Sequence, residues 1–170
     1  GAVISHNTIF RVGHRMIDMG KLRSGLTQYN DLSHGGLQIT DFGGIYAAST
    51  DGENTRICYN QIHDTDGPSN GLERGNNSKG IYIDNGSSNY IIDHNIAWSV
   101  DRALVLNSRE GRAETNRHNL ILNNTLSGTS WSYGWKHCPS PETLVANNIF
   151  RTRAESGVGA TVSNNLFPDT

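Results

Sequence analysis

The chain has 170 residues, 35% of them apolar, and a formal net charge of -2 from 14 basic and 16 acidic residues. That length suits one domain with a real core, and a mean hydropathy of -0.52 suits a thin interior with a long wet surface. The near-neutral balance argues against nucleic acid or an anionic membrane as partner, because basic surfaces hold both, and no apolar run approaches a membrane span.

From the first residues onward one short phrase recurs: an apolar or β-branched residue, two spacers, Asn, a spacer, then usually an aliphatic. It appears as ISHNTI at Asn7, TQYNDL at Asn30, ICYNQI at Asn60, IDHNIA at Asn95, ILNNTL at Asn124, LVANNI at Asn147 and TVSNNL at Asn164. A second strand family lies between these phrases: HRMIDMG (14–20), GIYAAST (44–50), GIYIDNG (80–86), RALVLNS (102–108) and the aromatic WSYGW (131–135). Turns rich in Gly, Asn, Asp and Ser join the two kinds of strand. Helices are hard to place anywhere.

Units of this size cannot bury an apolar face alone, so they must stack, and the pattern predicts a parallel β-solenoid. A buried Asn at each bend can bond backbone groups and the Asn of the next unit, which explains one polar residue at a fixed place. Strict alternation buries Ile45 and Ala47, Ile81 and Ile83, Ala103 and Val105, and turns Tyr46, Tyr82 and Asp84 outward. His6, Tyr29, Tyr59 and His94, each just before its Asn, read as a structural stack. The first phrase begins at residue 4 and no signal-peptide pattern precedes it, so residues 1–170 read as a single domain excerpted from a longer protein.

Cys58 and Cys138 belong to different units and lack zinc-like spacing, so free structural thiols are expected. Asn76, Asn85 and Asn123 match Asn-x-Ser/Thr, a pattern that an Asn- and Ser-rich chain produces by chance. The longest excursions, including 64–79 and 127–142, are where binding groups gather on a rigid scaffold.

Residues 41–84 carry three motifs in order: Asp41-Phe42-Gly43-Gly44-Ile45-Tyr46, then Tyr59-Asn60-Gln61-Ile62-His63-Asp64, then Gly80-Ile81-Tyr82-Ile83-Asp84. With the repeats, they resemble the right-handed parallel β-helix (pectate-lyase-like) superfamily, and within it β-helical glycoside hydrolases of the xylosidase and fucosidase type. The resemblance implies an all-β, right-handed, single-stranded parallel β-helix of about six coils. It also implies a secreted or cell-surface, carbohydrate-active enzyme whose partner is a polysaccharide or oligosaccharide.

Glycoside hydrolysis needs two carboxyl groups across the scissile bond, one protonated and one ionised. The candidates are Asp41, Asp64 and Asp84, with Tyr46, Tyr82 and His63 as substrate-binding residues and no metal or cofactor. Asp41 before Gly-Gly and Asp64 before DTDG also suit turn residues, whereas Asp84 stands on a strand, where Asp is disfavoured. His63 falls three residues after its Asn, as do Phe10, Trp98 and Phe150, and suits a stacked ring as well as an orienting one. Two other readings remain. A polysaccharide lyase would draw its base from Lys79 or Arg102 and often uses Ca²⁺. A non-catalytic glycan-binding or structural β-helix would use the same scaffold without chemistry.

Overall fold

The computed structural model describes residues 1–65, 77–108, 115–134, 139–152, 154 and 158–168, Trp131 by its backbone only. Its first eight strands are β1 (Val3–Ser5), β2 (Thr8–Phe10), β3 (Ile17–Asp18), β4 (Leu26–Gln28), β5 (Asp31–Ser33), β6 (Phe42–Ala48), β7 (Asp51–Cys58) and β8 (Gln61–Thr65). The other eight are β9 (Ser78–Asp84), β10 (Ser88–Asp93), β11 (Ile96–Leu106), β12 (Leu120–Leu122), β13 (Thr125–Tyr133), β14 (Leu144–Ala146), β15 (Ile149–Phe150) and β16 (Thr161–Ser163). Every pairing between these strands is parallel, and none of the described residues is helical.

The expected single-stranded, right-handed β-helix of about six coils is corrected. The strands divide into two parallel sheets, one of seven strands (β1-β4-β7-β10-β12-β14-β16) and one of nine. The larger sheet runs β2-β5-β8-β11-β9-β6-β3, and a branch of β13 followed by β15 leaves it at β11. The branch exists because IDHNIA and RALVLNS do not form separate strands. Between Trp98 and Arg102 there is neither Gly nor Pro, so β11 carries through with register shifts, and left-handed Ser99 bends it without ending it. One arm of β11, Ile96–Val100, pairs with β8, and the other, Arg102–Leu106, pairs with β9.

The Asn phrase works as its chemistry requires. Asn7, Asn30, Asn60, Asn95, Asn124, Asn148 and Asn165 form a ladder in which each Nδ2 donates to the Oδ1 of the next at 2.8–3.0 Å. Each backbone N–H donates to the same oxygen. The last two rungs correct the expectation: Asn148 and Asn165 enter the ladder, not Asn147 and Asn164. Asn147 and Asn164 instead take the left-handed backbone shared by His6, Tyr29, Tyr59, His94 and Asn123, all with φ between 52° and 59°. Asn tolerates that conformation best among ordinary residues, which is why NN pairs appear at these bends.

Further left-handed positions recur at other bends. Arg11, His34, Asp64 and Ser99 stand directly after Phe10, Ser33, His63 and Trp98, the last two inside β8 and β11; Ser24, His118 and Glu142 precede β4, β12 and β14, and Asn54 and Asn89 lie inside β7 and β10. The sequence reading missed a second polar series in this sheet, where the amides of Gly25, Tyr90 and Asn119 donate to Thr55 Oγ1, Asn119 Oδ1 and Thr143 Oγ1.

Inside, apolar side chains stack in register: Ile57, Ile92, Ile121 and Val145 from one sheet, Leu32, Ile62, Ala97, Leu126 and Phe150 from the other. Each fully buried Ile or Leu contributes about 1.5–3 kcal/mol. Phe150 lies in this core, so it is not a counterpart of His63 and Trp98. Tyr133 is also buried, its ring stacked against Phe150 at 5.9 Å. Trp135, Cys138, Asn76 and the side chain of Trp131 lie outside the described residues.

The Gly-Ile-Tyr motifs have a packing cause. A Cβ on Gly44 would meet Ile62 Cγ2 at 2.8 Å, and one on Gly80 would meet the Ala103 carbonyl oxygen at 2.5 Å. Both glycines therefore allow close approach, two successive residues face inward, and the following Tyr turns outward. The same slip in β11 puts Ala103 and Leu104 in the core and sends Val105 outward against Tyr46 and Tyr82, correcting its expected burial inside.

Candidate functional site

Strands β6, β9 and the second arm of β11 place a polar layer on the outer face of the larger sheet. Tyr46 and Tyr82 pair in register and meet edge to face, with ring centres 5.3 Å apart. They are covered, at 9% and 4% exposure, and do not form a bare stacking surface. The Arg15 guanidinium lies 3.5 Å over the Tyr46 ring, and Lys79 Nζ lies 4.5 Å over Tyr82.

Asp84 is 6% exposed and surrounded by donors. Its Oδ1 accepts from the Asn85 amide and Asn107 Nδ2, both at 2.8 Å, and its Oδ2 accepts from the Tyr46 hydroxyl and Asn85 Nδ2, both at 3.0 Å. Four donors on two oxygens suit a carboxylate carrying its charge. Burial, reinforced by Asp84, pushes Tyr46 up to about 12. Burial, with Asp84 and Asp41, also pushes Tyr82 upward.

Lys79 is the unusual group on this face. It is 2% exposed, and its Nζ donates to Asp41 Oδ1 at 3.1 Å and to the Asn77 carbonyl at 3.2 Å. Burial lowers its pKa, against the pull of Asp41. Its cross-strand neighbours are Gly43 and Arg102. Asp41 itself is largely in solvent, with 75% of its side chain exposed. The structure thus brings Asp41, Asp84, Tyr46 and Tyr82 together around Lys79, a lysine that the sequence suggested only for the lyase reading.

Asp64 and His63 stand elsewhere, on β8. His63 lies between two carboxylates, with Nδ1 2.7 Å from Asp64 Oδ2 and Nε2 2.9 Å from Asp31 Oδ1. Its ring stacks on Trp98 at 4.3 Å, the stacked arrangement its position suggested. Asp64 takes the left-handed bend that Arg11, His34 and Ser99 take in other passes, and His63 holds its carboxyl below the usual range. Its partners are His63, Ser99 and His34, none of which belongs to the Lys79 layer.

Burial alone would lower the His63 pKa, but hydrogen bonds to Asp64 and Asp31 outweigh it and the net shift is upward. The stabilisation is therefore fully present below the unfolded value of about 6.5 and is lost as pH rises through the higher folded value. Urea unfolding at pH 5.5 and 8.5 is expected to show the native chain losing stability with pH more steeply than His63→Gln. Parallel curves would show that the clamp makes no net contribution.

No local pattern announces the Arg56–Asp93 pair. Its bonds of 2.8 and 2.7 Å are forked, and His94 Nδ1 adds a third contact at 2.7 Å. Burial pushes Asp93 up, but Arg56 and His94 together hold it below the carboxylate range. The pair joins β7 to β10 and is structural. The outer stack His6–Tyr29–Tyr59–His94 is also present, with spacings of 5.1, 5.1 and 4.9 Å. Cys58 is a free, buried thiol.

Among known proteins, no family model, no curated protein and no solved structure matches this chain.

Proposed function

We propose that the layer around Lys79 cleaves a glycosidic bond in a polysaccharide or oligosaccharide, in a protein that is secreted or displayed at the cell surface. The observation that carries this reading is the convergence of two carboxyl groups, Asp41 just before β6 and Asp84 at the end of β9, on one Lys–Tyr pair. Hydrolysis needs two such groups with different environments. Asp84, held by four donors, supplies the ionised partner, as nucleophile or base. Asp41, in solvent, supplies the second carboxyl group at the substrate edge, and the Lys79 ammonium beside it, made more acidic by burial, supplies the proton that the leaving oxygen takes up. Asp64 is left out of this pair.

One observation favours a second reading, β-elimination next to a uronate carboxylate. Burial lowers the Lys79 pKa and so leaves more of the amine neutral and free to take a proton, and Arg102 across the strand would hold the carboxylate. Among the described residues no three His, Cys, Asp or Glu side chains gather into a group that could hold a metal ion.

The products separate the two. Hydrolysis of xylan or a neutral oligosaccharide is expected to yield new reducing ends without ultraviolet absorbance, in the presence of a chelator. An unsaturated uronate released from polygalacturonate or alginate, and lost in Lys79→Met, would replace hydrolysis with elimination.

A further inference from the structure

The first arm of β11 carries a different feature. Phe10, Ser33, His63, Trp98 and Ser127 stand in one row across five strands, each in register with the next. His63 and Trp98 fill adjacent places, with rings 4.3 Å apart and 4° from parallel. The His6–Tyr29–Tyr59–His94 row, in contrast, has a ring at each of its four places. In the Phe10 row one ring is missing, because Ser33 stands between Phe10 and His63. Two ring-bearing positions therefore lie two strand spacings apart, about 9.6 Å, with only a hydroxymethyl group between them.

We propose that this gap is a binding slot for one pyranose ring of a glycan. Contact distances of about 3.5–4.0 Å on each side leave about 2 Å for the thickness of the guest. A puckered sugar ring with axial hydrogens fills that space, whereas a flat heteroaromatic ring leaves it slack. Phe10 is 62% exposed, so its ring is open to a guest. Asp31, two residues before Ser33 on the same face, is bonded to His63 through one oxygen and is half exposed, so it can accept a sugar hydroxyl. A groove of about 340 Å³ lined by Phe10, Arg11, His34 and Leu37 opens beside the row. That volume lies within the range of small-molecule sites and gives room for the next sugar residue. The bends fix this groove to the row: the Arg11 amide donates to the Ser33 carbonyl, and the His34 amide to that of Asp64. The cleavage chemistry of the Lys79 layer plays no part in the assignment.

The test is a titration of the isotope-labelled chain with cellotetraose and xylotetraose, followed by the backbone amides of Ser33, His34 and Leu37. At least one tetrasaccharide is expected to shift these amides saturably. Ser33→Phe, which supplies the missing ring, is expected to weaken binding at least tenfold. Phe10→Ala, a truncation at an exposed position, is expected to do the same with the fold intact. Cleavage by the Lys79 layer need not change in either variant, which separates failure of the slot from failure of the catalytic reading. Undiminished binding in Ser33→Phe and Phe10→Ala, silence of these amides toward both sugars, or tighter binding of indole would overturn the proposal.

Discussion

Replacing Asn60 by leucine is expected to cost about 2–4 kcal/mol of stability, although the two side chains are close in size. Asn60 sits in the middle of the ladder at 0% exposure. Its Oδ1 accepts from the Asn30 amide at 3.1 Å, and its Nδ2 donates to the Thr27 carbonyl at 3.0 Å. Leucine strips both backbone groups of these partners in a dry interior, and each unpaired group costs about 1–3 kcal/mol. The side-chain bonds suffer less, because Asn30 keeps Ile4 and the Asn95 oxygen keeps the Asn60 amide. Asn165→Leu, at a part-buried rung, is expected to cost less. Urea unfolding reads both as shifted midpoints with unchanged slope. A loss below about 1 kcal/mol in Asn60→Leu would mean that water or a backbone shift replaces the ladder.

The ladder was legible because one residue type recurs at a bend whose geometry only that side chain satisfies. It became ambiguous where two Asn residues stand side by side, at Asn123-Asn124, Asn147-Asn148 and Asn164-Asn165. There one Asn serves the ladder and the other the left-handed bend, and composition cannot assign the roles. The division into two sheets was not legible, because it depends on whether β11 breaks between Trp98 and Arg102. Alternation failed in the same strand: the slip that Gly44 and Gly80 make in β6 and β9 recurs at Ala103 in β11 and reverses the parity that had placed Val105 inside.

The candidate site was legible in its types and only partly in its grouping. Asp84, Tyr46 and Tyr82 share one face because they sit on paired strands at matching register, a relation the GIY motifs carry. Asp64 appeared to belong with them because it is near in sequence and acidic. Its place in a column of left-handed bends emerges only when Arg11, His34 and Ser99 are seen beside it, and those residues share no chemistry. Lys79 was visible as a strand-edge charge. Its burial, and hence its altered basicity, depends on neighbours from other strands that no local pattern records.

Asp84→Asn is the substitution expected to affect activity most. An amide has nearly the shape of the acid, but it can accept at one end only. One pair of donors, either Tyr46 with Asn85 Nδ2 or Asn85 N with Asn107, then faces an NH₂ group. The negative charge needed opposite a developing oxocarbenium ion is also lost. A barrier increase of about 4 kcal/mol, close to a thousandfold in kcat, is expected, with KM changing much less. Asp41→Asn is expected to reduce kcat by a similar order if it supplies the second carboxyl group, and Asp64→Asn less than tenfold because its partners lie outside the layer. Asp51→Asn is the suitable control: its carboxylate is exposed and accepts from the Glu53 amide and from Asn89 on β10, neither of which belongs to the Lys79 layer. Asp93 would mislead as a control, since breaking its pair with Arg56 destabilises the chain whatever the chemistry. Unfolding midpoints on the same samples separate lost chemistry from lost fold. Full activity in both Asp84→Asn and Asp41→Asn, with loss in Lys79→Met, would transfer the reaction to proton abstraction by the lysine. Full activity in all three would remove cleavage from this face altogether.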